Sequence, residues 1–315
     1  MMKSFILLSA LTTAVVAQST ISSTCSTFLT ALNSDSSLTA CIQPIIAAAS
    51  QFGPGSTTTP TTSSVTSALN SLCSSSVTNG CPDSLIRGKL ADFYTACTPE
   101  LTGDSPNADV LLSYDVLYVM TPLQQAVCSK NDNGAYCVTQ IPSDIVPASS
   151  KEASSPNQLP LDVIDSNLYT TSSSAPKVKR ANTTTTVSPA LVPNSTTFRT
   201  SNLIYLFSTP SESSTDLCVS CTRASLTPYI NFQEAVPYAP GITNSPLMGG
   251  QSALYSAITQ KCGANFMSGA VQAAGGLGAG VLGGGKSGAM AVKVGSVGQV
   301  GAVLAAVAVG FAGLL

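Results

Sequence analysis

The chain has 315 residues, of which 9% are charged, and its formal net charge is −2. This balance excludes the basic surface that a nucleic-acid-binding protein needs. Histidine is absent, which excludes Ser-His-Asp and Cys-His catalysis and leaves paired carboxylates as the main hydrolytic option.

The chain begins MMKSFILLSALTTAVVA, which has the organisation of a secretory signal peptide. Lys3 supplies the positive charge, and Phe5 to Val16 form an apolar core. Val15 and Ala17 fit the small-residue positions of a cleavage site. Because the apolar run is short for a bilayer span, a signal anchor is disfavoured. We expect residues 1–17 to be removed and the rest to enter the secretory pathway.

Apolar residues recur at helical spacing in the following cysteine-bearing segment, residues 18–144. VTSALNSLC (65–73) predicts one helix. A second helix begins at Pro82-Asp83 and carries a single apolar stripe. A third is predicted over Asp109 to Cys128, kinked or broken at Pro122. The stripe of the second helix consists of Leu85, Ile86, Leu90, Phe93, Tyr94 and Cys97.

Cysteine parity constrains how the chain is organised. An even count of ten in a secreted chain indicates a disulfide framework. Seven cysteines precede a cysteine-free segment and three follow it. If every cysteine pairs within the chain, at least one disulfide must join the two sides, although spacing leaves the connectivity open. The cysteines are Cys25, Cys41, Cys73, Cys81, Cys97, Cys128, Cys137, Cys218, Cys221 and Cys262.

The cysteine-free segment, residues 145–200, is rich in Ser, Thr and Pro and has few apolar side chains to bury. This composition predicts a long disordered linker that is open to O-glycosylation. Asn182 and Asn194 each begin an N-glycosylation sequon. Lys179-Arg180 is either a site for a secretory processing protease or a pair of solvated charges.

The second cysteine-bearing segment, residues 201–265, is expected to belong to the same body. LIYLF (203–207) fits a strand or a helical turn. Helices are predicted over Asp216 to Leu226 and Gly250 to Cys262, with a Pro/Gly-punctuated loop, 230–250, between them.

Cys218-Val219-Ser220-Cys221 is a CxxC motif. Zinc would require a second pair of ligands, and a redox role would require a thioredoxin-like βαβ unit. A helix cap at Asp216 would place Cys218 near a helix N-terminus and lower its thiol pKa. Structural cystines are nevertheless the favoured interpretation.

No pair of carboxylates stands out as catalytic, because most fit helix caps or solvated positions. Tryptophan, the usual platform of sugar sites, is absent. We therefore expect no enzymatic activity, metal or cofactor. The carboxylates considered are Asp83, Asp92, Glu100, Asp104, Asp109, Asp115 and Glu234.

GLGAGVLGGGKSG (276–288) matches two nucleotide-binding patterns. Both require a preceding strand, and the Ala/Gly-rich sequence before it gives no strand signal. Because glycine-rich sequence matches such patterns easily, we expect no nucleotide. Residues 266–287 are predicted to form a flexible tether.

The segment from Val294 to Leu315 is apolar and uncharged, with no Lys or Arg after it. Behind a spacer and a small-residue triplet, this pattern is typical of a glycosylphosphatidylinositol (GPI) signal. Ser287 is the expected attachment residue, with Gly285 and Gly288 as alternatives. Residues 288–315 would then be removed. A tail-type transmembrane helix is the other possibility.

The whole pattern resembles a fungal family of cysteine-rich, GPI-anchored cell-surface proteins. The residues that carry the resemblance are CSTFLTALNSDSSLTAC (25–41), DLCVSCTRASLTPYI (216–230) and VPYAPG (236–241) with LYSAITQKC (254–262). The resemblance covers most of the chain between the two processed ends. It implies placement at the cell surface but no activity, so no functional residue is carried over.

The sequence thus predicts a mainly α, disulfide-bonded helical body interrupted by a disordered Ser/Thr/Pro-rich linker. We expect a non-enzymatic GPI-anchored glycoprotein of the outer plasma membrane or cell wall, with a structural or interaction role. Its expected partners are the membrane, through the GPI lipid, and wall glycans or surface proteins. The alternative is a lipid- or sterol-binding helical module, in which the apolar stripes line a cavity rather than form a core.

Overall fold

The computed structural model confirms the predicted fold class: the described part of the chain is mainly helical and contains five disulfides. The predicted signal peptide, most of the linker and residues 268–287 of the predicted tether lie outside the described residues. The tether was predicted to begin at 266, which is wrong for its first two residues, because Phe266 packs against the core and Met267 is buried. The structure describes residues 21–53, 60–140, 169–171 and 191–267, together with 300, 301, 303, 304 and 307.

The described part of residues 21–140, hereafter the first region, forms six α-helices whose starts are set largely by polar caps. Asp35 accepts hydrogen bonds from the backbone N–H groups of Ser37 and Leu38, and Thr61 and Ser64 form a reciprocal capping box. The helices are α1 (Ser23–Asn33), α2 (Ser36–Ala49), α3 (Thr62–Leu72), α4 (Ser75–Gly80), α5 (Asp83–Thr102) and α6 (Ala108–Val127).

Three disulfides close the first region: Cys25–Cys97, Cys41–Cys81 and Cys73–Cys128. The first two join opposite ends of residues 25–41 and 81–97, so these segments run antiparallel. Between the two bridges α1 packs on α5. Because each bridge closes a long loop, the three together restrict the unfolded chain strongly.

Two details of the first region differ from the sequence prediction. Helix α6 is continuous through Pro122, where a kink or break was expected. Its neighbours Met120 and Leu123 are buried, so packing on both sides of the proline outweighs the local loss of a backbone hydrogen bond. Tyr94 was placed in the apolar stripe of α5, yet 39% of it is exposed. The other members of that stripe are buried in, or packed against, one hydrophobic core.

Residues 191–267, hereafter the second region, add four helices and the end of a two-stranded pair. Strand β1 (Tyr169–Thr171) pairs antiparallel with β2 (Leu191–Pro193), with Tyr169 opposite Pro193. The helices are α7 (Ser195–Ser201), α8 (Ser214–Leu217), α9 (Ser220–Ala235) and α10 (Gln251–Cys262).

The structure corrects several boundaries in the second region. The predicted linker 145–200 contains both strands and most of α7, because Phe198 is buried and holds that helix on the body. The helix predicted over 216–226 is two helices, and the second runs to Ala235, into the predicted loop 230–250. LIYLF forms a helical turn, of the 3₁₀ type over Leu203–Tyr205.

The two regions form one body along a seam between α6 and α9. Cys137–Cys221 crosses this seam, which confirms the bridge that cysteine parity required. Aromatic rings also pack across this seam. The ring centroid of Tyr118 lies 5.0 Å from that of Phe232 and 5.1 Å from that of Tyr238, and both pairs are edge-to-face. Such pairs add stability beyond the apolar area that they bury.

The described residues near the C-terminus pack on the first region. Val300, Val303, Leu304 and Val307 are buried. Gly301 lies so close to Pro60, just before α3, that a β-carbon would lie 3.0 Å from the proline ring. No helix among the described residues is both long and apolar enough to cross a membrane.

Candidate functional site

The CxxC cysteines belong to two different disulfides. Cys218 pairs with Cys262, whereas Cys221 pairs with Cys137. The preferred interpretation as structural cystines is confirmed, since neither sulfur is a free thiol. The expected cap at Asp216 is wrong, because Ser213 caps α8 and Cys218 follows the end of that helix.

Two of the carboxylates singled out in the sequence, Glu100 and Asp115, are buried. Glu100 accepts a hydrogen bond from the backbone N–H of Ser22, at 2.6 Å, and so holds the start of α1 against α5. Burial alone would raise the pKa of Glu100, but the hydrogen bonds from Ser22 outweigh it and lower the pKa.

Glu100 also lies beside Cys25 and Cys97, with one potential ligand atom of each residue within 4.8 Å of the others. Metal binding would require thiolates. The Cys25–Cys97 disulfide takes both sulfurs, so the group does not present a thiolate site. Glu100 therefore acts as a structural acceptor for the N-terminal segment.

Asp115 joins the two regions from the middle of α6. Its Oδ2 accepts hydrogen bonds from the Ser245 hydroxyl at 2.6 Å and from the backbone N–H of Leu247 at 2.7 Å. The Ser245 hydroxyl oxygen in turn accepts from the N–H of Met248. The carboxylate thus fixes the turn 245–248, which precedes α10.

Burial raises the pKa of Asp115 to about 6, against the opposing effect of the Ser245 hydrogen bond. A raised carboxyl pKa is a feature of many catalytic acids. Here, however, the side chain is completely buried, so no substrate reaches it in the folded state. Asp115 is a structural group of the seam.

A hollow of about 550 Å³ opens on the surface between α9, α10 and the turn Ile242–Asn244. Its volume lies within the range of small-molecule sites, roughly 300–1,000 Å³. Tyr255 stands at this hollow with 45% of its surface exposed. The lining residues are Ile230, Gln233, Ile242, Gln251, Ser252, Tyr255, Ser256, Thr259 and Gln260.

A chain of hydrogen bonds from the core orients two glutamines of the hollow. The buried Tyr205 hydroxyl lies 3.2 Å from the Met248 carbonyl and 3.2 Å from Gln251 Oε1, so its single proton is shared between these two acceptors. Gln251 Nε2 then donates to Gln233 Oε1 at 3.0 Å. In this arrangement Gln233 presents its Nε2 donor, for which the described part of the chain provides no acceptor.

The charged side chains of α9 and α10 lie outside the hollow. Lys261 donates to the backbone carbonyls of Pro210 and Glu212, and Arg223 lies over the Phe266 ring. Glu234 is exposed and absent from the lining. The hollow therefore offers amides, hydroxyls and an aromatic ring but no carboxylate or ammonium group. It cannot supply general acid–base catalysis through His, Asp, Glu or Lys.

Sequence reasoning missed this hollow because it searched for charged and sulfur-containing groups. A signal was present in α10, whose residues 251, 252, 255, 256, 259 and 260 are all uncharged and polar or aromatic. This spacing, i, i+1, i+4, i+5, places them on one helix face. An exposed helix face more commonly carries charged residues.

The predicted modification residues are only partly placed by the structure. Asn194 is the N-cap of α7, and its Oδ1 accepts from the N–H of Thr197 at 3.4 Å. It is partly buried at a helix start, whereas an exposed linker position was expected. The remaining predicted residues, Asn182, Lys179, Arg180, Gly285, Ser287 and Gly288, lie outside the described residues.

Comparisons of this chain with protein-family models, with curated proteins and with solved structures found no match.

Proposed function

We propose that this chain is a non-enzymatic glycoprotein of the cell surface with a structural or interaction role. In this proposal a GPI anchor on Ser287 holds it at the outer plasma membrane or the cell wall. Its partners are surface or wall components that meet the helical body. The resemblance to fungal GPI-anchored proteins supports the same placement.

The observation that carries the proposal is the pairing of all ten cysteines in five disulfides. Disulfides form and persist in oxidising compartments, so this framework favours the secretory route. The sequence supports both ends of that route, with a signal-peptide pattern before residue 18 and a GPI-signal pattern after Ser287. The uncharged hollow supports binding rather than catalysis.

The anchor is tested by treating intact cells with phosphatidylinositol-specific phospholipase C. We expect the enzyme to release the protein, and mass spectrometry of its C-terminal peptide to find the glycolipid remnant on Ser287. A known GPI-anchored protein and a transmembrane protein are the two controls. Retention on membranes that release the GPI control would contradict the anchor and favour a transmembrane tail.

A further inference from the structure

We propose that the hollow between α9 and α10 is a binding site for a short neutral oligosaccharide. This inference deepens the proposed function and rests on it, because a surface location brings the hollow into contact with wall or surface glycans. The juxtaposition that carries it is Tyr255 beside the hydrogen-bonded pair Gln233 and Gln251.

The absence of charge in the lining argues against an ionic ligand. Phosphate and carboxylate ligands are bound most strongly by Arg, Lys or clustered backbone N–H groups. The nine lining residues include neither Arg nor Lys, and they also lack Asp and Glu, which a cationic ligand would need. The nearest basic side chain in sequence, Lys261, is held on carbonyl groups of the 210–212 segment.

The amides argue against a wholly apolar ligand such as a sterol. Covering Gln233 with hydrocarbon would remove its Nε2 donor from water without providing an acceptor, and this costs about 1–3 kcal/mol. Thr259 and Gln260 instead donate within α10, to the Tyr255 carbonyl and the Ser256 hydroxyl. The cost of covering the hollow with an apolar ligand therefore falls on Gln233.

A neutral sugar can contact both the polar amide groups and the apolar and aromatic side chains of the hollow. Each sugar hydroxyl both donates and accepts, which matches the two donors and one acceptor oxygen of a glutamine amide. The C–H face of a pyranose ring can pack on the Tyr255 ring, whose face is negative, and against Ile230 and Ile242. Tyr255 would provide the aromatic stacking surface that tryptophan provides in many sugar-binding sites.

The glutamines are oriented before any ligand arrives. Gln251 shares the hydroxyl proton of the fully buried Tyr205 with the Met248 carbonyl, and Gln233 accepts a hydrogen bond from Gln251. Because these amides have defined directions, less side-chain entropy is lost on binding. The hollow is open on one side, so we expect modest affinity, with a dissociation constant of roughly 0.1–10 mM.

The test is saturation-transfer NMR on the full chain, secreted by a host cell and purified in detergent. The probes are short oligosaccharides of β-1,3-glucose, N-acetylglucosamine and α-mannose, each supplied up to roughly 10 mM. An oligogalacturonate of similar length serves as an anionic comparison. We expect transfer to at least one neutral oligosaccharide and not to the oligogalacturonate.

Two variants in the hollow and one outside it locate the site. Tyr255→Ala removes the ring, and Gln233→Glu keeps the acceptor for Gln251 but loses the Nε2 donor. Each should weaken binding at least about tenfold. Tyr94→Ala is the matched control, because Tyr94 is an exposed tyrosine on α5 and outside the hollow. It should leave binding unchanged.

The inference is overturned if no neutral oligosaccharide binds, or if binding survives both hollow variants. It is also overturned if the detergent or a sterol occupies the hollow and a sugar does not displace it. These outcomes do not contradict the proposed location at the cell surface, because release by the phospholipase tests the location separately. Sugar binding by a chain that never reaches the cell surface would instead overturn the proposed function.

Discussion

The first region, residues 21–140, has three disulfides of its own, whereas the second region, residues 191–267, has one. The first region closes its core with α1 on α5 and α5 on α6. The second packs its longest helix, α9, on α6 of the first. A helix that buries its apolar face on another region depends on that region for stability. The second region, which holds the hollow, therefore depends on the first region for its stability.

Removing the Cys137–Cys221 bridge should have the largest effect on stability of the changes considered, and it tests whether the second region depends on the first. Cys137→Ser with Cys221→Ser opens a loop with a sequence separation of 84 residues. We expect the free energy of unfolding to fall by about 4 kcal/mol, because the unfolded chain gains the entropy of that loop. Chemical denaturation measures the loss, and hydrogen exchange should locate the earliest opening in α9 and α10.

The matched control is Cys41→Ser with Cys81→Ser, which removes a bridge inside the first region. This variant should lose a similar amount of unfolding free energy, but its amide hydrogen exchange should rise first in α2 and α4. If both double variants open the same helices first, the two regions do not differ in the way described.

Ionisation of Asp115 is expected to weaken the seam as the pH rises. Its pKa is about 6 in the folded chain, against an ordinary value of 3.8. The folded state therefore binds more protons between these values. The free energy of unfolding should fall by about 3 kcal/mol in total between pH 3 and pH 7, with about 2 kcal/mol of that between pH 4 and pH 6. Urea denaturation across this range measures the slope.

Asp115→Asn is the control for that pH dependence. Its amide oxygen can still accept from Ser245 and from the N–H of Leu247, but the side chain does not titrate. The slope between pH 4 and pH 6 should flatten. An unchanged slope would assign the pH dependence to other groups.

Loss of the C-terminal segment should affect the first region rather than the second. Gly301 lies against Pro60 and Phe52, and the residues beside it, Val300 and Val303, are buried, so this segment covers apolar surface of the first region. Anchor attachment would produce a chain that ends at Ser287. The free energy of unfolding of this shortened chain should fall by about 2 kcal/mol, and its newly exposed apolar surface should bind a hydrophobic dye. Faster hydrogen exchange confined to α9 and α10 would contradict this placement.

The smallest effect should come from a single hydrogen bond across the seam. The Tyr118 hydroxyl donates to the carbonyl of Val236, just after α9 ends. Tyr118→Phe should cost about 1 kcal/mol in urea denaturation, because a partly buried acceptor loses its donor. Tyr136→Phe removes an exposed bond to Asn70 and should cost less. Equal losses would argue against a buried bond at the seam.

Much of the first region follows from its sequence, because periodic apolar residues such as Val65 and Leu69 report which face is buried. The odd number of cysteines on each side of the linker predicted the crossing bridge, because complete pairing then requires at least one disulfide between the two sides. The extension of α9 to Ala235 was missed because it depends on packing against α6. Local proline and glycine signals at 230–250 do not report such long-range contacts.

The candidate site was less accessible to sequence reasoning than the fold. The hollow depends on α9 and α10 meeting, and its glutamines are aligned by Tyr205, far from them in sequence. Asp115 was one of seven carboxylates considered, and nothing local marks it as buried. Its partners Ser245 and Leu247 lie about 130 residues away along the chain.

The positions of the second region's disulfides have a mechanical consequence for a chain tethered through its C-terminus. Tension entering at Cys262 passes through sulfur to Cys218, along Val219 and Ser220 to Cys221, and through sulfur again to Cys137. This route is covalent throughout and bypasses most of α9, α10 and the hollow. Tension applied between the tether and the first region would follow this route, so the hollow keeps its shape while the body is stretched.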